Sequence, residues 1–242
     1  MRALLAVSAG AGTQVAIRAE LDRAPALTGP DRGLTTELVY GVQRQRRPLD
    51  AWIAATASRG LYGMAPDVLE TLRLGAWQLA QGWPDYAAVH ATVEAAKVHL
   101  APPQVRFVHA VLRKLAVQQP PEVDPLAPWI VRRIADFAHR VGQDPDAMAA
   151  AFRGSAPLHL RVDDPAVLLE LPELQPLPVP HSHVAEDGRV FASSAFAARQ
   201  VLAQDAGSAA VAAWLGVEPG MSVVDVAAGR GVKSLALSRA GA

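Results

Sequence analysis

Residues 66–80 read PDVLETLRLGAWQLA, and the spacing inside this stretch decides the fold class. Val68, Leu69, Leu72, Ala76 and Leu79 recur every three or four residues, the repeat of one helix face. Pro66 stands where a first helical turn tolerates it, because an N–H there would have no intrahelical partner. The same reading extends outward in both directions. Upstream, Leu34, Leu38 and Val42 make one stripe, and Leu49, Trp52, Ile53 and Thr56 make the next. Downstream come Ala88, Val89, Thr92, Val93 and Ala96, then Val105, Val108, Leu112 and Leu115. The breaks between them are short and rich in Gly, Pro or polar residues: TGPDRG, SRGLYG, QGWPDY and LAPPQ. No alternating pattern interrupts the series, so residues 1–118 are expected to form an all-helical bundle. The opening MRALLAVSAGAG has too short an apolar core for a secretory leader. The helical spacing continues through 14–21, which makes this a first helix.

Beyond 118 the pattern changes. QQPPEVDPLAPW is a linker, since its prolines forbid a continuing helix. A helix carrying Trp129, Ile130, Ile134, Phe137 and Val141 follows, and Asp144-Pro145 reads as an N-cap and first-turn proline starting another. Leu158, Leu160 and Val162 alternate with His159 and Arg161, the signature of a strand. A proline-rich connector leads to a second expected strand at Val190 and Phe191, and 195–215 reads as helix. GVEPG then turns into a buried strand (Val223, Val224, Val226), a glycine turn (Gly229, Gly231) and a last helix. The expectation is a mainly α chain in three regions: a helical bundle over 1–118, a small α+β connecting region over 119–194, and a strand-turn-helix region over 195–242.

Composition narrows the classes of function. The chain has 242 residues, of which 51% are hydrophobic and 5% aromatic, enough for a packed core and weighted toward helices. No apolar run is long enough to span a bilayer as a helix. Cysteine is absent, which excludes disulfides, thiolate metal sites and a cysteine nucleophile, and fits a cytoplasmic location. Net charge is zero but unevenly placed. Residues 1–120 hold 13 Lys and Arg against 9 Asp and Glu, whereas 121–242 hold 10 against 14. The first half is the better candidate for meeting a polyanion, through a local patch.

Four blocks in order, LTTELVYGVQRQRRPLD, LETLRLGAWQLA, AAVHATVEAAK and VRFVHAVLRKL, resemble the NusB-type helical domain. More specifically, they resemble the version fused to the front of RsmB/Sun/NOP-type rRNA cytosine-C5 methyltransferases. PLAPWIVRRIADFAHRVG and APLHLRVD resemble the helix and strand that lead toward the catalytic domain of that family. QDAGSAAVAAWLGVEPGMSVVDVAAGRGVKS resembles the start of that domain, with Gln204, Asp205, Ser208, Pro219 and Gly220 at matching positions. The resemblance implies a truncated Rossmann-like methyltransferase fold at the C-terminal end. It implies S-adenosyl-L-methionine as cofactor at Ala227, Ala228, Gly229, Arg230, Gly231, Val232 and Lys233. The family turn reads Cys-Ala-Ala-Pro-Gly-Gly-Lys-Thr. Here Ala227, Gly229, Arg230, Val232 and Ser234 depart from it, while the general Asp-x-x-x-Gly-x-Gly shape and Lys233 survive. The family's catalytic cysteines lie past this turn. The resemblance therefore implies an N-terminal half cut just after the first cofactor motif, inactive by itself.

Arg44, Arg46 and Arg47, together with Arg113 and Lys114, are the candidate contacts to RNA phosphates, balanced against a reading as solvated helix ends. The remaining candidates favour structural roles. His181 and His183 lack a third metal ligand at a recognisable spacing. Asp163 and Asp164 precede Pro165 as a turn and cap. Ser193 and Ser194 have no base near them in sequence. Trp77 and Trp83 read as core anchors before they read as base-stacking surfaces. The implied partner is small-subunit rRNA, with neither DNA nor membrane expected. The alternatives are a non-enzymatic NusB-type antitermination-like RNA-binding module and a helical domain that meets only protein.

Overall fold

The computed structural model describes residues 1–58 and 60–241. Arg59, inside the break at 58–63, and Ala242, at the end of the third expected region, lie outside them. The chain divides into two compact units, Met1–Gly154 and Ser155–Ala242. Among the described residues no helix is long and apolar enough to cross a membrane.

The first unit is helical throughout: α1 Arg2–Ser8, α2 Thr13–Asp22, α3 Gly29–Arg44, α4 Arg46–Thr56, α5 Pro66–Ala80, α6 Asp85–Lys97, α7 Pro102–Leu115, α8 Pro128–Arg140 and α9 Pro145–Arg153. The prolines at 66, 102, 128 and 145 all open helices, as their missing N–H allows. The single first helix expected from the sequence is two, because Gly10 at φ 102° takes a backbone conformation that no helix continues. The α5 stripe is deeply buried. Leu72, Ala76 and Trp77 join Val42, Ile53, Val108, Leu112 and Leu115 in one core. Fully burying a leucine such as Leu72 or Leu112 contributes about 1.5–3 kcal/mol. Helix α3 packs tightly on α5 at Gly41, where an added β-carbon would lie 2.3 Å from the Trp77 indole.

A buried ionic network also ties this unit together. Arg73 on α5 is fully enclosed and pairs with Asp50 on α4 at 2.6 Å and with Glu70 at 2.5 Å, and Ser8 of α1 donates to the same Glu70. Buried charges persist only when paired in this way.

The first unit reaches past residue 118. Arg153 on α9 grips both carboxylate oxygens of Asp124, at 2.7 and 3.1 Å, and the Arg47 guanidinium donates to the main-chain carbonyls of Asp124 and Leu126. The proline-rich stretch after α7 is therefore a fixed strap, and α8 and α9 belong with the bundle rather than with a middle region.

The second unit holds a small antiparallel sheet in the order β2–β3–β1–β4, formed by β1 Leu158–Val162, β2 Gln175–Pro176, β3 Ser182–Ala185 and β4 Val201–Ala203. Leu160 lies opposite His183 on β3 and Ala203 on β4. The expected strand at 158–162 is present, and its Leu160 and Val162 pack with Val167, Val190, Ala195 and Val201. Two short helices, α10 Pro165–Leu168 and α11 Ser194–Ala197, cover this core. Helices α12 Ala206–Trp214 and α13 Val232–Arg239 follow.

Three expectations are corrected here. Val190 and Phe191 lie in a 3-10 turn, Gly188–Ala192, started by the Asp187 side chain accepting from the Arg189 N–H. The stretch 195–215 is interrupted by β4, because β1 offers it a free edge and Val201 an apolar seat. Val223, Val224 and Val226 form no strand. Among the described residues no neighbouring strand completes their hydrogen bonds, and Val224 and Val226 are largely exposed.

Candidate functional site

The glycine turn before α13 is built on two backbone conformations that side chains resist. Gly229 has φ 58° and Gly231 φ 74°, the left-handed region that only glycine enters freely. A β-carbon at Gly231 would meet no atom within 4 Å, so the turn's outer surface is open to a ligand. Gly231 caps α13, and no side chain caps that end, which leaves N–H groups unpaired there. Ser234, in the first turn of α13, donates to Asp225 Oδ2 at 2.8 Å and ties the incoming chain to the helix. Met221, Asp225, Ala228, Ser234, Leu237 and Ser238 line a concavity of about 510 Å³ beside the turn. Ala227, Ala228, Gly229, Arg230 and Lys233 are exposed, whereas Gly231 and Val232 are half-buried.

The five basic candidates do not form one patch. Arg44 pairs with Glu37 at 2.7 Å and Arg47 is committed to the strap carbonyls, which leaves Arg46 as the exposed member of RQRR. Arg113 and Lys114, in the last turn of α7, are both exposed. Arg113 borders a groove between α6 and α7 together with Tyr86, Val89, His90, His109 and Val117.

The remaining candidates have structural duties. Asp164 caps α10 by accepting from the Ala166 N–H at 2.9 Å. Asp163 instead receives Arg161 and Arg239, each at 2.5 Å. Burial would raise its pKa, but hydrogen bonds from these two guanidiniums outweigh that and hold the carboxyl below its ordinary value. His181, at φ 59°, sits beside Asp163, while His183 is buried within β3. Among the described residues no group of three His, Asp or Glu converges as a metal site. Ser193 caps α11 and its hydroxyl donates to the Val190 carbonyl. Asp205 caps α12 by accepting from the Ser208 N–H, which depresses its pKa. Trp77 is a core residue. The Arg161–Asp163–Arg239 cluster was not foreseen, because Asp163 and Arg239 are brought together by the chain path and by no local pattern.

Comparison with known proteins adds the following. Residues 1–117 match the NusB family. The chain is 34% identical over 241 residues to the ribosomal RNA small subunit methyltransferase B of Thermus thermophilus, covering 99% of this chain and 56% of the relative. It is 31% identical over 227 residues to the protein of that name from Xylella fastidiosa strain 9a5c, covering 84% of this chain and 51% of the relative. The chain thus spans about half the length of these relatives. The crystal structure of PH0851 superposes with a TM-score of 0.72 at 18% identity, over 99% of this chain and 59% of that one, which supports the fold.

Proposed function

We propose that this chain, whose residues 1–117 match the NusB family and which is similar along most of its length to ribosomal RNA small subunit methyltransferase B proteins, docks rRNA for methylation. The observation that carries this reading is the colinear match over 241 residues, which joins the helical domain and the glycine turn in one relative. The helical unit supplies the RNA-facing surface, from exposed basic side chains such as Arg46, Arg113 and Lys114. Small-subunit rRNA in the cytoplasm is the partner.

The turn at 227–233 fits one wall of an S-adenosylmethionine site. Its left-handed glycines let the main chain approach a ligand closely, and the unpaired N–H groups opening α13 suit the carboxylate of the cofactor's amino-acid end. Asp225 and Ser234 hold the turn in shape. The cofactor, when bound, supplies the methyl group. The target atom in this reading is carbon-5 of cytosine, a poor nucleophile until an enzyme nucleophile adds to the neighbouring carbon-6. The family uses cysteine for that step and this chain has none, so the 242-residue polypeptide binds and orients without transferring methyl groups.

Fluorescence anisotropy with labelled small-subunit rRNA fragments, titrated with salt, tests the docking role. Affinity should fall linearly in log–log form as salt rises. An absence of binding at 50 mM salt, with the fold verified, would sink the reading.

A further inference from the structure

Most cations of the helical unit are already engaged. Arg2, Arg18, Arg23, Arg44, Arg73, Lys97 and Arg153 have carboxylate partners, and Arg32 and Arg47 donate to main-chain carbonyls. Among the described residues the cations of α7 are not engaged in this way, nor are the exposed Arg132 and Arg133 of α8. Between Glu94 and Glu122 the sequence has no acidic residue. Arg106, His109, Arg113 and Lys114 are all exposed on α7, and among the described residues none of them has a side-chain hydrogen bond or ion pair. Unpaired cations such as Arg106, Arg113 and Lys114 cost free energy through mutual repulsion, and a bound polyanion relieves it.

Two of these residues, His109 and Arg113, border a groove. Tyr86, His90 and Val93 project from one side of α6 at spacings of four and three residues, and His109 and Arg113 on α7, four residues apart, face them together with Val117 just past its end. Together they bound a concavity of about 420 Å³. Tyr86 is 80% exposed, a large planar side chain at the rim of the groove that Arg113 borders, and among the described residues no aromatic ring packs against it. Asp85 also touches this rim, in the first turn of α6, where a carboxylate complements the helix dipole. Exposed aromatic faces set beside unpaired cations are the equipment of single-strand recognition: the ring stacks on a base and the cation meets the backbone.

We propose that the α6–α7 groove is a subsite for unpaired RNA, with a base stacked on Tyr86 and its phosphate on Arg113. This rests on the rRNA-docking reading and specifies its surface. The groove side of α7 carries the contact, and the RQRR segment contributes at most Arg46. The imidazoles of His90 and His109 offer N–H groups to base edges. An A-form duplex cannot present a free base to the Tyr86 ring, so the subsite discriminates single strands from duplexes.

The test uses the full chain and two probes, a labelled single-stranded uridine dodecamer and the same dodecamer annealed to its complement. Tyr86→Ala should weaken single-strand binding on the order of 5- to 100-fold, Tyr86→Phe should restore it, and duplex binding should change little. Arg113→Gln should weaken both probes and make the single-strand salt slope shallower by about 0.7. Arg18→Gln, on α2, is the control for general charge loss. Circular dichroism confirms that each variant is folded. If the parent binds neither these probes nor rRNA fragments, the docking reading fails and the groove assignment goes with it. If the parent binds but Tyr86→Ala and Arg113→Gln match it, the groove assignment is overturned while the docking reading stands.

Discussion

Arg47 and Asp124 are 77 residues apart in sequence, and the guanidinium of the first donates to the main-chain carbonyl of the second at 2.6 Å. The same guanidinium reaches the Leu126 carbonyl, so one side chain pins the strap that joins α7 to α8. The neighbouring Arg46 is exposed. Two adjacent arginines in one basic tetrapeptide therefore have different duties. Hydrogen bonds from a charged donor contribute about 1.5–3 kcal/mol each when made in a shielded place. Arg47→Ala should lower the unfolding midpoint and expose the 119–127 segment to limited proteolysis. Arg46→Ala should leave both unchanged. Equal protease resistance in the two variants would contradict the division of labour.

Gly41 is the position where α3 can approach α5. In an exposed helix, Gly→Ala stabilises by about 1 kcal/mol through backbone entropy. Here the added carbon would lie 2.3 Å from a Trp77 ring atom, and Trp77 is 4% exposed with nowhere to move. The clash outweighs the entropy gain, since overpacking costs about 1–3 kcal/mol. Gly41→Ala should destabilise the helical unit and alter tryptophan fluorescence. A rise in thermal midpoint would show that the helices can separate freely at this point.

The bundle was legible because each helix carries its own apolar stripe and its own punctuation. Pro66 and Pro145 announce helix starts in a way that needs no tertiary knowledge. The second unit was less so. Val190, Phe191 and Val201 are all apolar and locally ambiguous, and only the edge offered by β1 decides which of them pairs. The valines at 223–226 carry a strand signature, yet a strand is a property of two segments, and among the described residues no second segment pairs with this one. The site residues divide in the same way. The left-handed turn at Gly229 and Gly231 follows from residue type alone. The fate of Arg44 and Arg47 depended on Glu37 and on the strap carbonyls, which no spacing rule within RQRR reports.

Methyl transfer should be absent from this polypeptide. A chain without cysteine has no thiolate to add to carbon-6 of cytosine. Incubation of the purified chain with labelled S-adenosylmethionine and small-subunit rRNA measures it. Incorporation above the no-protein control, in material free of other methyltransferases, would require a different nucleophile and a revised mechanism.

The second unit should be acid-sensitive through Asp163. This carboxylate joins Arg161 on β1 to Arg239 at the end of α13. Partial burial pushes its pKa up, but the hydrogen bonds and charges of the two arginines prevail and depress it. A carboxyl whose folded pKa lies below its unfolded value near ~3.9 binds protons more readily when unfolded. Its contribution to stability is thus complete above that unfolded value and is lost as pH falls from there through the depressed folded value. The loss falls below about pH 4, and neutral and mildly alkaline solutions leave it intact. Asp163→Asn removes the charge at every pH. The variant should be less stable than the parent at pH 7, and the gap should narrow as the pH drops below 4. Urea titrations read from the amide NMR signals of β1 and β3 follow this unit without separating it from the chain. A gap that stays constant from pH 7 to pH 3 would mean that the Asp163 charge contributes nothing and that the carboxamide's packing accounts for the whole difference.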